Sequence, residues 1–339
     1  MTGEALDAET VAALVRDATA APSMHNAQPW KFRFLPAGGT FQVRADLDRT
    51  LPLVDPVTRA LHLGCAAALF NLRVAAAHAG WEPVTRLLPD PEDTGLLATV
   101  RLTEPASPGD ELAALYPAIH RRRTSRSPFT DEDIPEPVKD GLCAAALAEE
   151  GRLTFPDAWH VESLLNLVRD AEDLDTLNPA VADESQRWIR ADGDTAAGRP
   201  TAGIPDHALG PRKRDGKAPA RDLARGRHVE GRGTATFEQA PQLALLGTAD
   251  DSPRDWLRAG QAMERVLLRA TLDGLSAALN SHALEWPELR WDARDPRSAM
   301  GYVQMLFRLG YGTEAPEGPG APGTPRTPRR PVQEVLEFG

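Results

Sequence analysis

The sequence contains few of the residues from which metal centres, disulfide frameworks and nucleic-acid surfaces are built. Its 339 residues include two cysteines, Cys65 and Cys143, which lie far apart and form no C-x-x-C pair. The eight histidines show no H-x-x-x-H or H-E-x-x-H spacing, so neither a zinc site nor a disulfide framework is expected. Acidic residues outnumber basic ones by 49 to 38, and the net charge of −11 disfavours binding to nucleic acid or to an anionic membrane.

Long hydrophobic runs and a targeting segment are also missing from the sequence. The longest purely apolar runs, such as residues 65–70, are far shorter than the ~20 residues that a membrane-spanning helix needs. The first twenty residues carry several acidic side chains and no basic-then-apolar layout, so no secretory signal is expected. Since 42% of the residues are apolar, the chain can bury a substantial core. We expect a globular, cytoplasmic protein with roughly two domains' worth of chain.

Apolar periodicity predicts that helices and strands alternate along the whole chain. In the first half it predicts helices over 11–18, with Asp7 as N-cap, and over 61–79, ending at Gly80, and strands over 31–34, 41–44 and 96–102. In the second half it predicts helices over 111–123, 136–149, 161–174, 253–273 and 296–303, and strands over 243–246 and 303–309. The alternation lacks strict β-α-β spacing, which favours an α+β fold around an antiparallel or mixed sheet.

Two of the predicted helices contain similar sequences. Residues 64–73 read GCAAALFNLR and residues 260–269 read GQAMERVLLR. Gly, Ala, Leu and Arg coincide at four positions without a gap, and Leu61 and Leu257 coincide three residues upstream. Chance similarity between two alanine-rich helices is one explanation. The other is a duplicated unit of about 150 residues.

Two further segments lack an apolar period. Residues 191–233, called here the lid segment, contain eight glycines, and residues 211–232 within it carry eight Arg or Lys against three Asp or Glu. A solvated loop and a functional lid both fit this composition.

In the tail (residues 313–339), proline recurs at every third position from Pro316 to Pro331, which is the repeat of a polyproline II helix. We expect an extended strap across the protein, with an SH3-type ligand as the alternative.

A polar loop between the first predicted helix and strand carries side chains that suit a flat polar ring. It reads APSMHNAQPW over residues 21–30 and is called here the PS loop. Its Ser and Asn side chains donate and accept hydrogen bonds, and its two prolines stiffen the backbone. His25 is a candidate acid or base, although a lone loop histidine is more often incidental.

A basic segment opens the second half of the chain. Residues 121–129 read RRRTSRSPF, and residues 122–126 within them are called here the arginine motif. Four arginines and three hydroxyl groups within seven residues suit bidentate contacts to a phosphate. A basic helix end would explain the arginines but not the hydroxyls. A G-x-G-x-x-G after a strand and a G-K-[ST] are both missing from the sequence, so Rossmann and P-loop sites are not supported.

These motifs resemble those of the nitroreductase family. Pro22-Ser23-x-x-Asn26-x-Gln28-Pro29-Trp30 resembles the PS-x-x-N-x-QPW loop of that family, and the arginine motif resembles its RR-S-x-R segment, with Thr124 in place of Ser. Residues 310–312, Gly-Tyr-Gly, followed by Arg329-Arg330, are similar to the family's closing GYP strand and tail arginine. Classical members are homodimers that bind FMN at the subunit interface, with the two motifs supplied by different subunits.

In this chain the two motifs lie in different halves, and each half lacks the motif of the other. The chain therefore resembles the Acg subfamily, in which two nitroreductase-like halves are fused. The resemblance implies a nitroreductase-like α+β fold with two tandem halves, 1–108 and 109–312, that form an intramolecular pseudo-dimer around mixed or antiparallel sheets. It further implies a lid over 191–233, a proline-rich strap over 313–339, one FMN per chain, and either a monomer or a weak homodimer.

The resemblance also implies the residues of an FMN site, while no catalytic residue and no metal ligand is assigned. The arginine motif and the tail would hold the phosphate and ribityl groups, the PS loop would meet the flavin from the other half, and residues 279–280 would contact the reactive edge of the ring. The implied FMN-binding residues are Pro22, Ser23, Met24, Asn26, Arg122, Arg123, Thr124, Arg126, Leu279, Asn280, Arg329 and Arg330.

The implied activity is FMN-dependent, NAD(P)H-linked transfer of two electrons to or from a nitroaromatic, a quinone or a pathway intermediate. Such a reaction needs no protein nucleophile, because the cofactor supplies the chemistry. Two alternatives stay open at the level of sequence. The protein could store or sequester FMN beneath a closed lid, or it could be a specialised oxidase or dehydrogenase of a biosynthetic pathway.

Overall fold

The computed structural model describes residues 6–104, 111–191, 201–295, 297–298, 300–313 and 327–339. The first half of the chain forms α1 (Ala8–Ala18), β1 (Trp30–Leu35), β2 (Thr40–Ala45), α2 (Arg59–His78), β3 (Glu82–Leu87) and β4 (Leu96–Thr103). The Asp7 side chain accepts a hydrogen bond from the Thr10 backbone N–H at 2.7 Å, which confirms it as the N-cap of α1. Strands β1 and β2 are the predicted hairpin, with Phe32 opposite Val43.

The second half begins with a 3-10 turn (Ala113–Ala118) and continues through the remaining elements. These are α3 (Glu136–Leu147), β5 (Arg152–Thr154), α4 (Ala158–Leu177), α5 (Pro179–Gln186), β6 (Ile189–Arg190), β7 (Ile204–Pro205), β8 (Arg212–Asp215), β9 (Thr234–Thr236), β10 (Gln242–Thr248), α6 (Pro253–Leu272), β11 (Ser276–Asn280), α7 (Pro287–Asp292), β12 (Tyr302–Gly310), α8 (Val332–Val335) and β13 (Leu336–Phe338). Helix α6 begins with a capping box between Ser252 and Asp255, a strong start signal.

The two large sheets have the same strand order. The first sheet runs β13-β1-β2-β4-β3 and the second runs β5-β10-β12-β11. Without β13, each sheet therefore orders its own strands as first, second, fourth and third, and in each half a long helix connects the second strand to the third. Neighbouring strands are antiparallel in both sheets, whereas β13 joins β1 in parallel. The expected α+β fold with mixed and antiparallel sheets is confirmed.

The connecting helices α2 and α6, which contain the two similar segments, pack against each other at the centre. Their close approach depends on Gly260, where a Cβ atom would lie 2.4 Å from the Leu63 carbonyl oxygen and 2.6 Å from the Ala66 Cβ. Helix α2 is long and apolar enough to cross a membrane by composition, but 94% of its apolar stretch is buried inside the protein. It is the core helix between the first sheet, α1 and α6.

Two of the predicted helices differ from the structure. The helix predicted over 296–303 is wrong, because the described residues 297–298 and 300–301 are not helical and β12 begins at Tyr302. The helix lies earlier, in α7, where Pro287 suits the first turn. The helix predicted over 111–123 is only a 3-10 turn that contains Pro117. Strands β3, β11 and β13 were not predicted, and the proline repeat between Pro316 and Pro325 lies outside the described residues.

Candidate cofactor site

A cavity of about 440 Å³ lies where the PS loop, the start of α2, the arginine motif, the lid segment and β11 meet. This volume is within the range of small-molecule sites, roughly 300–1,000 Å³. The cavity thus joins the two motifs that the sequence placed in different halves. Seven of the residues expected at the FMN site line it, namely Pro22, Ser23, Met24, Thr124, Arg126, Leu279 and Asn280.

The backbone of the PS loop is held in an uncommon conformation. His25, Asn26 and Gln28 have φ angles of 48°, 55° and 53°, in the left-handed region that side chains other than glycine seldom adopt. The Ser23 hydroxyl accepts a hydrogen bond from the Gln28 backbone N–H at 2.9 Å, which closes the loop on itself. Gly64 of α2 gives the loop room, since a Cβ atom there would lie 3.2 Å from the Ser23 Cβ. Strain of this kind is concentrated at functional sites.

Asn26 and Gln28 fasten the lid segment and the tail to the PS loop, and neither is part of the cavity lining. The Asn26 amide donates to the carbonyl oxygens of Gly203 at 3.0 Å and Pro328 at 3.2 Å. The Gln28 side chain donates to the Thr201 carbonyl at 3.2 Å and accepts from the Arg330 backbone N–H at 2.8 Å. The structure therefore places these two motif residues at a junction of three segments.

The arginine motif lies alongside β11. Thr124 pairs with Ala277, and the Ser125 backbone N–H donates to the Ala277 carbonyl at 2.8 Å. Beyond this contact the Arg126 side chain enters the cavity and donates to the Ala208 carbonyl of the lid segment at 3.0 Å. Burial lowers the pKa of Arg126 to about 10, so the guanidinium is still charged at neutral pH. The motif thus places a fixed positive charge inside the cavity.

Arg122 and Arg329 converge behind the PS loop, outside the cavity lining. Both guanidinium groups donate to the Ala20 carbonyl oxygen, at 3.1 and 3.2 Å. Burial, together with the neighbouring charge of Arg122, lowers the pKa of Arg329 to about 9. Two like charges this close, away from water, need a nearby negative charge to stabilise them.

One fully buried carboxylate, Glu264 of α6, faces these two arginines. Its Oε1 lies 3.5 Å from the Arg122 Nε, but among the described residues neither carboxylate oxygen finds a hydrogen-bond partner. Burial raises the pKa of Glu264 to about 7, although Arg122, the neighbouring Asn71 side chain and Arg329 oppose the shift. The Arg122 Nε and Nη1 atoms are likewise buried without a hydrogen-bond partner in the described chain. Unsatisfied buried donors of this kind are rare and point to a missing acceptor.

The two remaining arginines of the expected set do not line the cavity. Arg330 is buried against the first sheet, where its Nη1 lies 3.0 Å from Asp46 Oδ2 and its Nη2 donates to the Glu334 carbonyl at 3.2 Å. It therefore anchors the tail. Arg123 is half-buried in the segment between Arg122 and Thr124.

The described part of the lid segment, residues 201–233, covers the cavity and is packed. It has its own small apolar cluster and short strands, which a solvated loop would lack. Arg221 pairs with Asp175 at 2.9 Å and with Glu285 at 3.2 Å. Other basic residues of the segment are also paired, namely Arg225 with Asp175, Arg227 with Asp206, Arg232 with Asp222 and Lys217 with Glu162. The excess positive charge seen in the sequence therefore fastens the lid.

Several cavity residues were missed by the sequence reasoning. Arg308 of β12 is buried, pairs with Glu238 at 2.5 Å and lies over the Phe129 ring at 3.9 Å, which joins the segment after the lid to the residues that follow the arginine motif. His282 follows β11 directly and lines the cavity. An arginine inside an apolar strand and a histidine just after a strand are weak signals, because their partners are far away in sequence.

The chain is similar to known proteins of one family. The sequence model of the nitroreductase family matches residues 119–285. The Mycobacterium tuberculosis protein named "Putative NAD(P)H nitroreductase Rv3131" is 32% identical over 306 residues, which cover 90% of this chain and 86% of that protein. The protein named "Putative NAD(P)H nitroreductase acg" from the same organism is 30% identical over 281 residues, 82% of this chain and 81% of that protein.

Solved structures were also compared. The FMN-dependent nitroreductase NfnB from Mycobacterium smegmatis, solved in complex with NADPH, is 15% identical, with a TM-score of 0.41, and the match covers 68% of this chain and all of that one. The chain belongs to the nitroreductase family, as its identity to full-length relatives shows.

Proposed function

We propose that this protein is an FMN-binding oxidoreductase that transfers two electrons from NAD(P)H to a small organic acceptor. The observation that carries the proposal is the cavity, in which the PS loop of one half faces the arginine motif of the other. Two buried arginines, Arg122 and Arg329, converge beside it, and Glu264 faces them. Membership of the nitroreductase family supports the same activity.

The residues present fit FMN. Arg122 has two buried nitrogen atoms without an acceptor in the described chain, and a phosphate supplies such acceptors. In the proposed complex, Thr124, Arg126 and residues 22–24 line the site, Arg122 and Arg329 attract the phosphate from behind the PS loop, and the backbone at Leu279 and Asn280 borders the edge of the ring. When bound, FMN supplies the hydride chemistry. The protein binds and orients it, and the lid segment excludes water.

The direct test is flavin content. Protein expressed and purified without added cofactor should be yellow and should release about one FMN per chain after acid denaturation. The chain has one PS loop and one arginine motif, so this stoichiometry also tests the intramolecular pseudo-dimer, for which the shared strand order of the two sheets is support. Two FMN per chain would contradict the pseudo-dimer. Protein that binds no FMN even after reconstitution would contradict the function.

NAD(P)H as the electron donor, and a nitroaromatic or quinone as the acceptor, are the finer parts of the proposal. The relatives' names support NAD(P)H and nitro substrates. We further propose a cytoplasmic protein that is active as a monomer, because both motifs of the site come from one chain. Size-exclusion chromatography with light scattering of the flavin-loaded protein tests the oligomeric state.

The packed lid favours one alternative function, namely FMN sequestration. Ion pairs from Arg221 to Asp175 and Glu285 hold the lid over the cavity, and such a lid would deny access to a nicotinamide. Anaerobic mixing of the yellow protein with NADH or NADPH separates the two functions. Rapid bleaching of the flavin absorbance supports turnover, whereas persistent colour, with bleaching by dithionite alone, supports sequestration.

A further inference from the structure

A buried histidine and a buried aspartate lie together at the cavity, and the proposed cofactor site does not use them. His282 begins the short turn after β11, is 2% exposed and lines the cavity. Asp175 is in the last turn of α4 and is 4% exposed. The His282 Nε2 lies 3.1 Å from the Asp175 Oδ2. The other ring nitrogen, Nδ1, makes no hydrogen bond within the described chain.

The Asp175 carboxylate is ionised and fixed in place. It accepts from Arg221 at 2.9 Å and from Arg225 at 3.3 Å. Burial alone raises the pKa of Asp175, but its interactions with His282 and Arg221 outweigh burial and hold the pKa at about 2. The Asp175–His282 contact is within hydrogen-bonding distance but is not well aligned, which is common before a substrate is bound. An ionised aspartate on one ring nitrogen orients the imidazole and leaves the other nitrogen free to act.

We propose that His282, oriented by Asp175, donates the proton that an oxygen-bearing acceptor needs when it is reduced beneath the lid. This inference rests on the proposed function and names the acceptor class as a quinone or a similar carbonyl acceptor. The overall reaction is quinone + NAD(P)H + H⁺ → hydroquinone + NAD(P)⁺. The hydride carries both electrons and one hydrogen, so a second hydrogen must arrive as a proton.

In the proton-transfer step, an O–H bond forms at the acceptor oxygen that gains negative charge, while the Nδ1–H bond of the His282 imidazolium breaks. The ring is left neutral, with its Nε2–H directed to Asp175, and solvent restores the proton. Asp175 remains a carboxylate throughout. It acts as a positioning residue, because it touches the imidazole and not the acceptor.

His25, the other histidine in the cavity, is less suited to this role. Burial lowers its pKa to about 4, so it is neutral and has no proton to give as an acid near pH 7. No carboxylate hydrogen-bonds to its ring among the described contacts, and its Nε2 has no partner there. The assignment therefore favours His282. The charged and titratable groups around His282 are Asp175 and Glu172 from α4, Glu285 from its own turn, Arg221 from the lid and His25 from the PS loop.

The lid segment contributes to this arrangement. Both arginines that hold Asp175, Arg221 and Arg225, belong to it. The pair is therefore fully held only when the lid is closed, which is also when water is excluded from the cavity. Proton delivery from the protein matters most in that state, because bulk water cannot supply the proton.

The test compares two acceptors with the flavin-loaded protein. A quinone needs a proton on reduction, whereas ferricyanide accepts single electrons and needs none. His282→Gln should lower kcat for the quinone by about 100-fold, the lower end of general-acid contributions, and should change ferricyanide turnover by less than about threefold. Asp175→Asn should lower the quinone rate less than His282→Gln does. The matched control is His160→Gln, which removes a buried histidine of α4 outside the cavity and should leave both rates unchanged.

A measurement without turnover tests the geometry. In protein labelled with ¹⁵N-histidine, the His282 signals, assigned by their loss in His282→Gln, should pass, as the pH is raised, from the imidazolium to the neutral tautomer with its proton on Nε2. In Asp175→Asn the proton population should move toward Nδ1. Retained flavin and circular dichroism confirm that each variant is folded.

Two outcomes overturn the inference. One is equal loss of quinone and ferricyanide turnover in His282→Gln. The other is a quinone-specific loss that follows His25→Asn instead, a variant whose asparagine tolerates the left-handed backbone at position 25. A protein without flavin that reduces neither acceptor overturns the proposed function. The tautomer measurement then still tests the His282–Asp175 pair on its own.

Discussion

The two halves of the molecule differ in the connection between their first helix and first strand. In the first half this connection spans residues 19–29 and contains the PS loop. In the second half the corresponding connection is residues 148–151, a tight turn between α3 and β5. Because the two sheets have the same strand order, the difference in length decides which side of the helix pair has room for a ligand.

The carboxylate beside the short connection is paired through both of its oxygens. Glu149 of that turn accepts from Arg73 of α2 at 2.5 Å and from Arg265 of α6 at 2.9 Å. Beside the long connection, Arg122 and Glu264 keep buried nitrogen and oxygen atoms without hydrogen-bond partners in the described chain. A buried ion pair whose polar atoms all have hydrogen-bond partners needs no ligand. A buried ion pair with unpartnered polar atoms is destabilising until a ligand supplies the missing partners. The comparison supports one ligand site per chain.

The strongest test of this comparison is to remove the arginines on each side of the α2–α6 helix pair, one at a time. Arg122→Ala and Arg329→Ala should each weaken FMN binding by about tenfold or more, because a hydrogen bond to a charged group contributes about 1.5–3 kcal/mol. Riboflavin, which lacks the phosphate, should lose much less affinity. Fluorescence titration of the apoprotein with both flavins measures the difference.

Arg265→Ala is the matched control for these variants, since it removes a half-buried, ion-paired arginine from the opposite side of the same helix pair. It should lower the thermal stability of the protein but leave the ratio of FMN to riboflavin affinity unchanged. Equal losses for the two flavins in Arg122→Ala and Arg329→Ala would mean that these arginines are structural and that the phosphate lies elsewhere.

The glycines that begin the two similar segments, Gly64 of α2 and Gly260 of α6, offer a second comparison. Gly260→Ala would place a Cβ atom 2.4 Å from the Leu63 carbonyl oxygen, so it should destabilise the protein by about 1–3 kcal/mol, as overpacked cores do. Gly64→Ala would place its Cβ 3.2 Å from the Ser23 Cβ, so it should affect flavin affinity more than stability. Urea unfolding and flavin titration of both variants check this. If both variants lost only stability, Gly64 would have no part in shaping the site.

The parts of the site that could be predicted from sequence are those encoded by contiguous motifs. Residues 22–24 and Arg126 line the cavity as expected, because a motif fixes the identity and spacing of its residues locally. The helices that contain the repeat were also correct, since their apolar period is long. Strand β13 and the anchoring role of Arg330 were missed. They depend on a pairing with β1 some 300 residues away in sequence, and local periodicity carries no information about such a pairing.

The charged network of the lid was also beyond sequence reasoning. Composition alone showed an excess of positive charge. Such an excess suits the binding of a ligand's phosphates as well as it suits ion pairs that hold the lid segment in place. Only the fold places Asp175 and Glu285 opposite Arg221. The same limit applies to Glu264, because its neighbours Arg122 and Arg329 come from two other segments of the chain.

The pH dependence of the free energy of unfolding should also reveal the buried Glu264 beside the long connection. Burial raises the pKa of Glu264 to about 7, above the value near 4.5 that it has in the unfolded chain. The folded state therefore holds more protons, and this group's contribution to stability is lost as pH rises from about 4.5 through about 7. The free energy of unfolding of Glu264→Gln, relative to wild type, should improve by about 1–3 kcal/mol between pH 5 and pH 8. A pH profile of Glu264→Gln that runs parallel to that of the wild type would contradict the assignment.

The smallest expected effect concerns the lid segment, which lines the cavity beside the long connection of the first half. Arg221→Ala removes the ion pairs that join the lid to Asp175 and Glu285, so the lid should open more often and dithionite should reduce the flavin roughly three- to tenfold faster, as local opening permits. Arg227→Ala is the matched control. Its partner, Asp206, lies within the lid itself, so the lid stays fastened and the rate should not change. Stopped-flow absorbance of the flavin under anaerobic conditions measures both variants. Equal rates in Arg221→Ala and wild type would show that these ion pairs do not limit access to the cavity, and the sequestration alternative would then lose the observation that favours it.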